Sequence, residues 1–409
     1  MVDPARRPKR GTPGGTTARR SGPGPRPGSG SLDKLLAAKE IAITCGSGGV
    51  GKTTTAAAIA TMAAVELGGK ILVLTIDPAR RLANAMGLKG IGNEERKVPT
   101  EAFSQSGVSP RGQLWAAMLD TKQSWDALVR RHAPDSATAT KILANPIYQS
   151  FSGRFVQSHD YIAMERLYEL HAEGGYDLIV VDTPPTRHAI DFLAAPERMA
   201  DFFSSRFLRW LIVPYRSRLV NFASRPFYQV ADRVLGSQFL EDIAEFFMLF
   251  QTMYDGFIER ARAVGALLKD RRTTFMVVST LEAAPLREAE FFIEELVERK
   301  FHLGAVVLNK VLPAYLRDRQ VAAVARRMAE EPGRTASQVA ATLGDVPLLE
   351  RVISEVGESY MNFSLVARRE AEQREELSVT PEVLTTVPFF ESDIYDVSGL
   401  VELGRHLWS

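Results

Sequence analysis

The stretch Gly46-Ser47-Gly48-Gly49-Val50-Gly51-Lys52-Thr53-Thr54 stands between an apolar run, Ile41 to Cys45, and an alanine-rich helical pattern, Ala56 to Leu67. This is the G-x-x-x-x-G-K-T/S spacing of a phosphate-binding loop that joins a strand to a helix. Glycines permit backbone angles that turn successive N–H groups toward one point, and the helix beginning near Lys52 adds its positive end to that cradle. The segment therefore predicts binding of a nucleoside triphosphate. Lys52 is expected to reach the β- and γ-phosphates, and the Thr53 hydroxyl to ligate Mg²⁺. A glycine-rich turn without a ligand is the competing reading, and the flanking strand and helix weigh against it.

A loop of this kind constrains the rest of the chain, because it works at the carboxyl edge of a mostly parallel sheet. Short runs rich in Val, Ile and Leu recur at Glu40–Cys45, Lys70–Ile76, Leu114–Leu119, Tyr176–Val181, Thr274–Val278, Leu303–Leu308 and Val383–Val387. Most lack the alternation of a half-wet strand, as expected when both faces are covered. Helix-length amphipathic segments lie between them, such as Thr53–Leu67, Ser158–Glu173 and Leu286–Lys300. Strand alternating with helix predicts an α/β fold, a P-loop NTPase with a doubly wound, mainly parallel sheet.

Two helical insertions interrupt the alternation, at about 191–269 and about 313–377, and supply an inserted helical subdomain. The first is crowded with Phe246, Phe247, Met248, Phe250, Met253, Tyr254 and Phe257, among others. Aromatics at helical spacing are ordinarily core, although Phe- and Met-rich helices also suit an adaptable apolar surface. The second is charged. Residues 1–31, rich in Pro, Gly, Ser and Arg, predict a disordered basic tail without the apolar core of a secretory signal, and residues 32–409 the ATPase domain.

Bulk properties exclude several functions. A formal net charge of +1 gives no global attraction to nucleic acid, so no specific nucleic-acid partner is expected. The single cysteine, Cys45, cannot build a disulfide, a zinc site or a soft-metal site within one chain, and a cytoplasmic setting fits best. The six histidines show no close ligand pair, which leaves Mg²⁺ as the expected metal. No window approaches the uninterrupted apolar length of a membrane span.

Three further pieces follow the loop in order: Asp77-Pro78-Ala79-Arg80 after the second strand, Asp182-Thr183-Pro184-Pro185-Thr186-Arg187-His188 after a hydrophobic strand, and Asn309-Lys310 after a late one. Together they resemble the arsenite-pump, ArsA-like ATPases, whose relatives include the guided-entry (Get) ATPases that carry tail-anchored membrane proteins. The likeness spans about residues 40–310, and bacterial ArsA-like ATPases resemble it most. It implies that Asp77 is catalytic, orienting or deprotonating the water that attacks the γ-phosphate. It also implies that Asp182 holds Mg²⁺ with Thr53, that Asn309 hydrogen-bonds the adenine of ATP, and that Pro388 helps wall the base pocket. A turn-forming role stays open for both Asp77 and Asn309.

One position departs from the family. Its members usually carry a second lysine, G-K-G-G-x-G-K-T/S, which crosses a dimer interface to the partner's phosphates; here that position is Ser47. A short neutral hydroxyl cannot supply a cation in trans. The expectation is a heterodimer with a lysine-bearing paralogue, with a homodimer using Arg80 or Arg81 as the alternative. Arsenite capture is excluded by the thiol count, and the zinc-binding C-x-x-C of many guided-entry dimers is absent. Three functions compete: an ATP-hydrolysing switch acting on a protein or membrane-protein client, a weakly catalytic scaffolding subunit, and a partitioning ATPase that would want a membrane-seeking or DNA-binding face.

Overall fold

Apolar strands pair in parallel when helices cover both faces of the sheet, and the chain is built that way. The computed structural model describes residues 30–76, 81–88, 92–154, 156–185, 189–204, 237–343, 345–376 and 381–408. Within them the strands are β1 (Ile41–Cys45), β2 (Lys70–Thr75), β3 (Arg96–Lys97), β4 (Gln113–Met118), β5 (Leu178–Asp182), β6 (Thr273–Ser279), β7 (Leu303–Val311) and β8 (Val383–Pro388). They form one sheet in the order β3-β4-β2-β5-β1-β6-β7-β8. Every neighbouring pair is parallel except β3–β4. The expected doubly wound α/β sheet is present, and each of the seven runs read from sequence overlaps one of its strands.

Burial explains the pattern. β1, β5 and β6 are buried at every position, so they carry no polar alternation. Ile41, Ile43 and Cys45 point into one layer, whereas Ala42 points into the other. Helices Lys52–Met62 and Val397–Trp408 contribute to that second layer and pack closely: a Cβ on Gly404 would lie 2.0 Å from Met62. β8, at the edge, alternates buried and half-buried residues. β3 was not legible, because its two residues are both exposed and charged.

Among the described residues between the fifth and sixth strands, Phe246, Phe250 and Phe257 form core. Phe246, Phe250, Met253 and Phe257, on and between helices Ser237–Phe250 and Tyr254–Lys269, are buried against Trp125, Tyr148 and Tyr161. Phe257 stacks on Phe250 with centroids 5.2 Å apart and lies 6.1 Å from both Trp125 and Tyr161. Between the seventh and eighth strands stand helices Arg319–Glu330, Pro332–Leu343 and Val346–Glu376. Among the described residues no helix is long and apolar enough to cross a membrane. Residues 1–29 of the basic tail, Asp77 to Arg80, Thr186 to His188, and Phe207, Trp210, Phe222 and Phe227 lie outside the described residues.

A polar cluster is set into the aromatic layer. Glu165, 1% exposed, accepts from the Tyr161 hydroxyl at 2.7 Å and pairs with Arg260 Nε at 2.7 Å. A buried carboxylate needs such partners. Arg260 Nη1 lies 3.2 Å from His132 Nδ1. Burial first, then the Arg260 and Arg131 charges, lower the His132 pKa from 6.5 to about 4. The neutral ring is thus the form the fold accepts, and protons bind the unfolded chain more readily between these values. Stability should therefore decline as pH falls from about 6.5 toward 4. Chemical denaturation across this range tests it: His132→Gln is expected to flatten the slope, and an unchanged slope would contradict the assignment.

Candidate functional site

The loop after β1 is kept open by close packing that only glycine permits. A Cβ on Gly46 would sit 2.1 Å from the Val278 carbonyl of β6. Gly51 has φ +95°, in the left-handed region, and its Cβ would lie 2.3 Å from Asn309 Nδ2. Gly51 also precedes the helix Lys52–Met62 without any side-chain cap, so the first helical N–H groups have no covering oxygen from that residue. That is an anion cradle by construction. Lys52 Nζ reaches the Ser47 carbonyl at 2.9 Å across the loop. The Ser47 hydroxyl is buried and meets no hydrogen-bond partner among the described residues.

Sheet order brings the acidic residue to this loop. β1 is flanked by β5 and β6, and the register pairs Thr44 with Asp182. Asp182 is fully buried. Its Oδ2 accepts from Thr53 Oγ1 at 2.7 Å and from Thr75 Oγ1 at 3.0 Å. Thr183 fixes the strand tip by donating from Oγ1 to the Thr44 carbonyl at 2.8 Å. A hydroxyl and a carboxylate side by side are hard oxygen donors, and the pair fits a Mg²⁺ ion. Among the described residues no group of three or more His, Cys, Asp or Glu side chains could hold a metal.

Asn309, at the carboxyl end of β7, comes to the same place from the other side. Its Nδ2 donates to the Val50 carbonyl at 2.7 Å, and its Oδ1 accepts from the Lys310 N–H at 2.9 Å. The amide therefore braces the loop. Lys310, which sequence alone left without a role, has φ 59° and donates from Nζ to the Gly49 carbonyl at 3.1 Å. A non-glycine residue held in that region marks a locally constrained backbone. Asn309 and Lys310 line a cavity of about 590 Å³ that also includes Thr53, Thr54, Pro388, Phe389, Phe390 and Tyr395. Its size and mixed lining suit a nucleotide's base and sugar.

The thiol beside the loop is not a reactive group. Burial pushes Cys45 up to about 12. Thiolate is scarce at that value. Asp77 lies outside the described residues; the chain before it is pinned by the Ile76 N–H on the Asp182 carbonyl at 3.0 Å.

Residues 39–350 match the model of the anion-transporting ATPase family. The chain belongs to this family. It is 29% identical over 271 residues, 65% of this chain and 73% of the relative, to ATPase ASNA1 homolog 1 of Paramecium tetraurelia. It is 26% identical over 290 residues to ATPase GET3 of Malassezia globosa, covering 69% of this chain and 76% of that one. A protein of Aquifex aeolicus named as arsenical pump-driving ATPase 2 is 24% identical over 269 residues, 66% of this chain and 79% of its own. As a member of the family, the chain is an ATPase that binds nucleotide.

The glycines make different demands. Gly51→Ala places a side chain where the backbone is left-handed and Asn309 already stands, so a loss of about 1–3 kcal/mol is expected. A Cβ at Gly48 meets nothing within 4 Å. Denaturant titration should therefore leave Gly48→Ala near wild type, and equal losses for the two variants would contradict the bracing role of Asn309.

Proposed function

We propose that this ATPase binds Mg·ATP between the loop Gly46–Thr54 and the cavity beneath Phe389 and Phe390, hydrolyses it with Asp77, and transmits the change to a protein partner. The observation that carries the reading is the Thr53 hydroxyl on the Asp182 carboxylate at 2.7 Å, at the head of a helix whose N-terminus has no side-chain cap. Thr53 and Asp182 would hold the magnesium ion, which supplies charge neutralisation at the phosphates. Lys52 adds a second positive charge close to the γ-phosphate. Asp77 follows β2, the neighbour of β5, and a carboxylate there is suited to accept the proton of an attacking water. Asn309 and Pro388 face the adenine. The setting we propose is cytoplasmic.

Exchange of Asp77 for asparagine separates an enzyme from a scaffolding subunit. Asp77→Asn should retain ATP affinity while turnover falls by at least about a hundredfold, a range typical of lost acid–base assistance. Unchanged phosphate release in a quenched single-turnover assay would remove Asp77 from the mechanism.

Ser47 governs the assembly. We propose a heterodimer with a paralogue that carries lysine at this position, because a buried hydroxyl cannot reach a neighbour's phosphates. Ser47→Lys in the chain alone should then raise turnover at least about tenfold, as a cation delivered to the transition state does. No increase, or equal turnover with and without the paralogue, would sink the heterodimer. A client among membrane proteins is the second reading, favoured by the likeness to relatives named GET3. The buried set Phe246, Phe250, Met253 and Phe257 does not supply its groove.

A further inference from the structure

The helix Val346–Glu376 is 31 residues long and buries one side, through Ile353, Gly357, Ser364 and Ala367. Gly357 allows the close approach, since a Cβ there would lie 2.6 Å from the Ala325 carbonyl of the neighbouring helix. A second stripe beside that buried side faces solvent. Val352, Val356, Phe363 and Val366 are 47, 52, 54 and 44% exposed. With Ser359 they recur at alternating steps of four and three residues, which is the spacing of a coiled-coil seam. Isolated exposed apolar residues need no explanation, but a stripe over about four helical turns does.

The charges beside the stripe select an occupant. In heptad terms Val356 and Phe363 take the first core position and Val352, Ser359 and Val366 the second. Glu355, Asn362 and Arg369 then occupy the flanking position just before each first core site. Antiparallel pairing with an identical helix sets Asn362 against Asn362 of the second copy. The same register sets Glu355 against Arg369 of the second copy, twice by symmetry, and packs Val356 on Val366 and Phe363 on Ser359. Large meets small, acid meets base and amide meets amide. Glu370, which accepts from the Leu312 N–H at 3.1 Å, closes the seam at its end. Glu355 pairs with Arg351 of its own helix, 2.9 Å away, where both side chains are largely exposed and the pair is weak.

We infer that this helix is a self-association surface: two copies of the chain pair through Val352–Val366 in antiparallel register. The pairing is independent of nucleotide and of any paralogue, so it is tested in EDTA without ATP. Sedimentation of the full chain up to about 100 µM should show a monomer–dimer equilibrium, as expected for a short contact. Glu355→Lys and Arg369→Glu should each raise the dissociation constant at least about tenfold, and the double exchange should restore it, because like charges then become opposite again. Asn362→Cys should form a disulfide-linked dimer, with Cys45 buried and silent. Phe363→Glu, checked for an unchanged circular dichroism spectrum, should be monomeric.

A wild-type monomer at all concentrations overturns the inference. So does failure of the double exchange to restore what each reversal removed. A dimer that survives Phe363→Glu places the contact elsewhere. Capture of the stripe by residues 1–29 of the same chain would appear as a monomer that dimerises only after the tail is deleted, and would likewise overturn it.

Discussion

A chain can present backbone N–H groups to an anion only while something stops those groups from turning to their own carbonyls. Here the restraint is bracing from three strands, by one backbone carbonyl and two side chains. The Val278 carbonyl of β6 presses on Gly46, the Asn309 amide of β7 holds Val50, and the Asp182 carboxylate of β5 holds Thr53. Each contact spans more than a hundred residues of sequence, so the loop has its shape only when the sheet is assembled. The order β5-β1-β6-β7 is what lets these strands reach one loop from both sides. The site is thereby coupled to the fold rather than carried on a flexible segment.

The same bracing gives the site its chemistry. Thr75 and Thr53 hold a fully buried carboxylate in place from two directions, which offsets part of the cost of burying a charge. Its position beside the helix N-terminus leaves a negative group and a positive helix end side by side. A cation carried on phosphate suits that arrangement from both sides. The aromatic layer under the opposite face of the sheet is built on a second buried carboxylate, Glu165, and there the partners are a tyrosine and an arginine. Burial holds Glu165 above the usual carboxylate range. The two acids differ by what surrounds them: the first meets the Thr53 hydroxyl at the head of the loop's helix, the second a tyrosine and an arginine.

Much of this was legible in the sequence because burial and glycine leave strong marks. The strands buried on both faces read as apolar runs, and Gly46 to Thr54, Asp182 and Asn309 converge as their order along the chain suggested. β3 left no mark, since Arg96 and Lys97 are exposed and two residues make no pattern. The brace from Asn309 to Val50 was hidden for a different reason: an amide has two N–H groups and an acceptor oxygen, and residue type alone does not tell which carbonyl one of them meets. Lys310 was hidden too, because its grip on Gly49 depends on a left-handed backbone angle that no residue type announces. Phe246, Phe250 and Phe257 could be core or groove by spacing alone, and the rings they meet decided it.

The central claim is that a braced glycine loop and the Thr53–Asp182 pair together hold Mg·ATP. Isothermal titration of the folded chain measures this most directly, with Mg·ATP compared against ATP in EDTA. One site per chain is expected, with a dissociation constant below about 100 µM with magnesium and binding at least about tenfold weaker without it. No heat of binding from folded protein, or affinity indifferent to magnesium, would contradict it.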